Sequence, residues 1–219
     1  MICILLVHYL LIAPWFILPD NTYNNSDNNP GAWQPVKNSD GVKSYVRWTV
    51  TENETKTRER KGELVVEESI DQIVTILTDT KSATIWMKNV TESYDLLKVS
   101  DDEWYTYTLF NIPWPFENRD LVSHVKLKEY GNNNILSINM VSEENYIPLR
   151  SKTLRLTNYK AKWYLAAIDQ HKTKITFSAI TDSPPMFPRW IQDPVVESMF
   201  HNNLVSLKTY IVSNKKAKT

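Results

Sequence analysis

The sequence predicts an α+β chain: a curved antiparallel sheet wrapped around one long C-terminal helix, with an internal hydrophobic cavity. Three observations lead there. After the first helix, from about residue 93 onward, apolar and polar residues alternate with period two through short segments separated by turn-like breaks, which implies antiparallel neighbours rather than βαβ crossovers. Over Val196–Ile211 the apolar period changes to that of a helix. The chain of 219 residues also carries 8 tryptophans and 11 tyrosines, side chains that join large apolar area to one polar tip and suit a large core or an aromatic-lined pocket. A curved sheet has to cover its concave face. A helix laid across it does so, and whatever volume it leaves unfilled becomes a cavity.

The elements follow in order. Ile2–Pro19 (ICILLVHYLLIAPWFILP) is nearly all apolar. Residues 1–19 are expected to be a signal peptide, with an uncleaved membrane anchor second and a core helix interrupted by Pro14 and Pro19 third. The first two place the chain outside the cytoplasm, secreted or periplasmic, or tethered to a membrane. Residues 20–32, rich in Asn, Asp and Ser, read as a flexible linker, and 33–219 as the folded domain. Asn24, Asn53 and Asn89 each begin a glycosylation sequon, a pattern short enough to arise by chance. Gly41–Val50 reads as a strand after the Ser39-Asp40-Gly41 turn. Thr57–Val66 reads as its partner, with Gly62 a candidate bulge. Ser69–Asp79 is a helix with Ser69 and Gln72 as a capping box. Six strands then span Ser93–Val99, Glu103–Phe110, Asp120–Lys128, Asn134–Val141, Lys160–Ile168 and Lys172–Ile180. The closing helix is expected to start with Asp193 as N-cap and Pro194 at the first helical position. Met199, Phe200, Leu204, Leu207 and Ile211 lie on its apolar face.

Several function classes lack their chemistry. Lys+Arg and Asp+Glu are both 25, a balance that argues against a nucleic-acid partner. Cys3 is the one cysteine, so the mature chain has no disulfide and no thiolate metal site. Four scattered glycines build no phosphate cradle. The four histidines lack metal-ligand spacing, and no Gly-x-Ser-x-Gly elbow occurs. Neither a metal nor another cofactor is expected. His201 is the best candidate for a catalytic group, although a histidine at the border of an apolar helix face is the preferred reading. The acidic pairs Glu67-Glu68, Asp101-Asp102 and Glu143-Glu144 sit at turns and read as solvated charge.

Glu103–Val122, EWYTYTLFNIPWPFENRDLV, is the most specific stretch. It resembles the signature of START domains, the lipid-transfer family related to the steroidogenic acute regulatory protein. Asp40–Arg47, the blocks ELVVEESIDQIVTILTD and WMKNVTES, Tyr146–Pro148, and FPRWIQDPVVESMFHNNLVSLK resemble further blocks of that family in the same order. The resemblance runs from Trp33 to the end. It implies a helix-grip fold with a hydrophobic tunnel for a single lipid (sterol, phospholipid or similar), a lid formed by the C-terminal helix and nearby loops, and binding for transport or sensing rather than catalysis. It also implies a monomer that touches membrane surfaces transiently. The chain departs from the pattern at TDSPPMFPRW, where Pro184 and Pro185 stand in place of a permissive Gly-Gly.

In some members of that family an Arg of the Arg-Asp motif faces the tunnel and pairs with a Glu on the preceding strand. The matching residues here are Arg119 and Glu92. Period-two spacing puts Leu121, Ser123 and Val125 on the side of Arg119, and Asp120 on the other. Arg119 would then either offer spare donors to a lipid headgroup or only tie two strands together. Phe200 and Leu204 are the expected lid contacts, with core packing as the alternative. The ligand-binding set is therefore Glu92, Arg119, Leu121, Ser123, Phe200 and Leu204. A polyketide cyclase or aromatase on the same scaffold would need an acid or base in the tunnel, for which Glu92 and His201 are the candidates. A lipid-gated interaction module is a further alternative.

Overall fold

A computed structural model describes residues 31–131, 134–182 and 185–218. The expected signal peptide or anchor, nearly all of the linker, and Pro184 lie outside the described residues. Among the described residues ten strands and three helices follow one another: β1 Gln34–Ser39, β2 Val42–Val50, β3 Lys56–Val66, α1 Ile70–Thr78, α2 Thr80–Trp86, β4 Val90–Lys98, β5 Glu103–Phe110, β6 Asn118–Tyr130, β7 Ile135–Ser142, β8 Thr153–Arg155, β9 Lys160–Asp169, β10 Lys172–Ile180 and α3 Arg189–Lys218. One sheet orders them β1-β2-β3-β10-β9-β7-β6-β5-β4, and the short β8 pairs with β6 off this path. Every pairing is antiparallel except that of β6 with β8. The architecture is the expected α+β helix-grip: a large antiparallel sheet and a long C-terminal helix. No helix among the described residues is long and apolar enough to cross a membrane.

The helical region after β3 begins as the sequence dictates. Ser69 is the N-cap of α1 and its hydroxyl accepts the Gln72 N–H. Ile70 and Ile73 bury the apolar face. The helix stops at Asp79, which then serves as N-cap of α2. Trp86 at the end of α2 is buried against the main core, where Val42, Leu64, Trp163, Leu165, Ile175, Leu204, Leu207 and Ile211 meet.

Gly62 is not a bulge. It pairs in regular register with Ser44 on one side and Phe177 on the other. Its lack of a side chain serves another purpose. A Cβ there would lie 2.0 Å from Leu204 Cδ1 and 3.2 Å from Phe200 Cε1. The glycine lets Leu204 and Phe200 of α3 settle directly onto β3.

The start of α3 also differs from expectation. The helix begins at Arg189, one turn before Asp193. The Pro188 carbonyl accepts the Ile191 and Gln192 N–H groups, and Gln192 Oε1 accepts those of Met186 and Phe187. This first turn is held without a cap from Asp193, whose carboxylate goes to arginines of β3. Pro194 thus sits inside the helix, where its missing N–H leaves the Trp190 carbonyl without its helical donor.

Candidate functional site

β6 carries the Arg-Asp motif and sends its two charges to opposite faces. Asp120 points outward and is about as buried as a residue can be, at 1% exposure. Arg155 of β8 grips it with a two-pronged bond, Nε to Oδ1 at 2.8 Å and a terminal nitrogen to Oδ2 at 2.9 Å. Arg155 also donates to the carbonyls of Glu144 and Ile147. The segment between β7 and β9 is thereby fastened over an outer apolar cluster of Tyr107, Leu109 and Val122. Tyr146, from the Tyr-Ile-Pro block, stacks on Tyr105 there, and Tyr105 stacks in turn on His124.

The expected Glu92–Arg119 pair does not form. Glu92 binds Arg150 at 2.7 Å on this same outer face. A register shift between Val90 and Glu92 is the reason. Val90 pairs with Phe110, but Glu92 pairs with Leu109, whose side chain belongs to the outer cluster. One extra residue turns the strand over, and with it the carboxylate, until a second shift between Asp95 and Leu97 turns it back. The Arg150 hydrogen bond holds the Glu92 carboxyl below the ordinary range for a glutamate.

Arg119 points the other way, into a cavity of about 350 Å³ between the sheet, α1, α2 and α3. That volume falls within the range of about 300–1,000 Å³ usual for small-molecule sites. Leu121, Phe200 and Leu204 line it with Arg119, whereas Glu92 and Ser123 do not. Ser123 is fully buried beyond the cavity wall, its hydroxyl without a hydrogen-bond partner. Among the described residues Arg119 has no ion pair. Burial pushes its guanidinium below the ordinary value, and nearby Glu117 partly offsets this.

The aromatic content of the sequence finds its place here. Trp86, Trp163, Phe177 and Phe200 all line the cavity and form a continuous ladder from α2 across the sheet to α3. Trp86 meets Trp163 edge-on at 6.2 Å, Trp163 stacks on Phe177 at 4.0 Å, and Phe177 stacks on Phe200 at 5.5 Å. Phe116, from the Pro-Trp-Pro-Phe turn, also lines the cavity and meets Phe187 edge-on at 4.8 Å. This contact joins the turn to the segment leading into α3. Around it, Trp114 and Trp190 are exposed at 91% and 78%.

A charged cluster lies at the start of α3. Arg58 and Arg60 project from β3 toward α3 and meet Asp193 and Glu197, one helical turn apart. Arg58 reaches Asp193 at 3.0 Å and Glu197 at 2.8 Å. Arg60 reaches Asp193 at 3.6 Å, and Arg189 reaches the same carboxylate at 3.7 Å. Burial lowers the Arg60 pKa and raises that of Glu197, with the opposite charges of the cluster pulling each back. The recurring charges RERK (Arg58–Lys61) hold this signal, but alternation alone reads as a solvent-facing edge.

His201 lies outside the cavity. It is fully buried between α3 and the β1–β2 hairpin, not at a helix border. Ser39 Oγ lies 3.0 Å from its Nε2 and Ser44 Oγ 3.0 Å from its Nδ1. Burial, then Lys37, holds its pKa below the usual histidine value, with Asp40 pulling it up. Both candidate acid-base groups for a cyclase are thus elsewhere. Among the described residues no cluster of three His, Cys, Asp or Glu could hold a metal ion.

No family model matches the sequence. An uncharacterised protein of Pseudomonas aeruginosa is 24% identical over 177 residues, which span 81% of this chain and 85% of that one. Among solved structures, a STAR-related lipid transfer protein from Xanthomonas axonopodis matches with a TM-score of 0.72 and 28% identity, over 82% of this chain and 98% of that one. Human StAR-related lipid transfer protein 5 matches with a TM-score of 0.74 and 18% identity, over 87% and 90%. An aromatase/cyclase from Streptomyces matches more distantly, with a TM-score of 0.51 and 11% identity over 70% and 93%.

Proposed function

We infer from the START-like fold of this chain that it binds one hydrophobic lipid in its internal cavity, for transport or sensing and without catalysis. The observation that carries the reading is the cavity itself: a wall made mostly of an aromatic ladder and aliphatic side chains, with a smaller number of charged and polar groups among them. An apolar wall gives affinity without direction, and a few placed polar groups fix orientation. The lipid-transfer proteins that share the fold support this reading. Glu92 and His201, which a cyclase reading would use as acid or base, face away from the cavity, so binding is favoured over catalysis.

The Pro-Trp-Pro-Phe turn and the start of α3 form the mouth. Their contact, Phe116 against Phe187, has to part for a ligand to pass. Trp114 and Trp190 beside it suit a transient membrane surface, because an indole ring settles where an apolar body and a polar tip are both satisfied.

The test is displacement of a neutral fluorescent lipid probe, with Phe200→Asp as the variant. Phe200 closes the aromatic ladder from α3, and burying such a ring is worth roughly 1.5–3 kcal/mol. The wild type should retain the probe, and a folded Phe200→Asp should lose most of it. Equal retention by both would contradict the cavity as the binding site.

A further inference from the structure

We propose that the end of the cavity beneath the first turns of α3 is an anion-receiving site built by Arg60 with Arg189, so that the bound amphiphile carries an anionic oxygen headgroup, a carboxylate or a phosphate. This deepens the reading of the cavity as a lipid site and rests on it.

The argument begins with how the donors of Arg60 are spent. Its side chain is only 14% exposed and it lines the cavity. Its Nε is enclosed and has no hydrogen-bond partner. Its contact with Asp193, at 3.6 Å, is longer than a hydrogen bond of roughly 2.7–3.2 Å. The nearby carboxylates are engaged mainly by Arg58, while Asp193 Oδ1, the oxygen facing Arg60, lies beyond hydrogen-bond reach of it and is itself enclosed without a hydrogen-bond partner. Asp193 Oδ2 and Glu197 Oε1 both go to the same nitrogen of Arg58, at 3.0 and 2.8 Å. A guanidinium has five N–H donors in a planar fork, and leaving them dry in an apolar enclosure is costly. A carboxylate or phosphate accepts such a fork with two parallel bonds.

Charge points the same way. The cluster sets three guanidinium groups, Arg58, Arg60 and Arg189, against two carboxylates, Asp193 and Glu197. It has room for one more negative charge. Arg189 also lines the cavity and lies over the Trp48 ring at 5.0 Å, which fixes its plane. Asn203 lines the same cavity with an enclosed, unpartnered Oδ1, an acceptor for a headgroup hydroxyl. A neutral hydrocarbon would leave all of these groups unsatisfied, and a lone hydroxyl could not fill a guanidinium fork with two parallel bonds.

The experiment compares palmitate, hexadecanol and a single-chain lysophosphatidic acid on the full chain, each displacing the neutral dye Nile red, with and without inorganic phosphate. The acid or the phosphate lipid should bind at least roughly tenfold more tightly than the alcohol, the scale of one charge-assisted hydrogen bond. Arg60→Met should collapse that ratio. If it does not fold, Arg60→Lys, which keeps the charge but loses the fork, should lower the ratio and takes its place. Equal binding of acid and alcohol by the wild type would overturn the proposal, as would a ratio that survives either Arg60 change. Alcohol binding that tightens when inorganic phosphate is added would mean that a free anion fills the site, and would also overturn it. If no amphiphile displaces the dye, the lipid-binding reading itself falls, an outcome distinct from loss of headgroup preference alone.

Discussion

At the scale of single residues, the charged side chains divide by which face of the sheet they reach. Arg119 and Asp120 are neighbours in sequence, yet one looks into the cavity and the other clamps the outer loop. Removing Asp120 should therefore damage folding rather than ligand choice. Breaking a buried pair by deleting one partner costs roughly 3–5 kcal/mol, so Asp120→Asn should lower the denaturation midpoint sharply, measured by urea unfolding. Arg119→Met should behave in the opposite way. Its lipid selection, read by extraction and mass spectrometry, should change in a folded protein, and unchanged selection would reduce Arg119 to a tie between strands. His201 makes a pH prediction. Its pKa is lowered on folding, so the unfolded chain binds the extra proton more readily and stability rises with pH through this window. The contribution is complete above the ordinary histidine value of about 6.5 and is lost as pH falls below it toward the folded value. Thermal unfolding between pH 7 and 5 should show this loss in the wild type and not in His201→Gln.

At the scale of elements, the helix and the sheet meet where the sheet has no side chain. Gly62→Ala would put a methyl group into Leu204. Overpacking of this kind costs roughly 1–3 kcal/mol. It should appear as a lower melting temperature together with weaker lipid retention, because Phe200 and Leu204 move with α3. Most elements were legible in the sequence. Period two located β5, β9 and β10 to within a residue at either end, and the capping box located α1. What was not legible depended on contacts remote in sequence. β1 and β8 are short and contain no buried residue, and only their partners make them strands. The shift at Val90/Glu92 leaves no mark in the composition, yet it decides which face Glu92 serves. Asp193-Pro194 has every local property of a helix start. It is overridden because Gln192 and Pro188 hold an earlier turn and the Asp193 carboxylate is drawn to Arg58.

At the scale of the whole molecule, a START-like sheet and its C-terminal helix enclose a space that neither fills, and function is assigned to that space. Fold alone would not justify this, since one scaffold can carry unrelated activities. The assignment rests on what lines the cavity: the ladder from Trp86 to Phe200, and the arginines at its end. Of the ligand-binding set expected from the sequence, Arg119, Leu121, Phe200 and Leu204 line the cavity. Arg60 is not read from the sequence as a cavity residue, because a strand of alternating charge resembles a solvent-facing edge until α3 covers it. The most direct test of the central claim is native mass spectrometry of the purified, undelipidated chain. The account predicts a one-to-one complex with a hydrophobic molecule that organic extraction releases and identifies. A bare polypeptide mass that stays bare after incubation with mixed-lipid vesicles would contradict it.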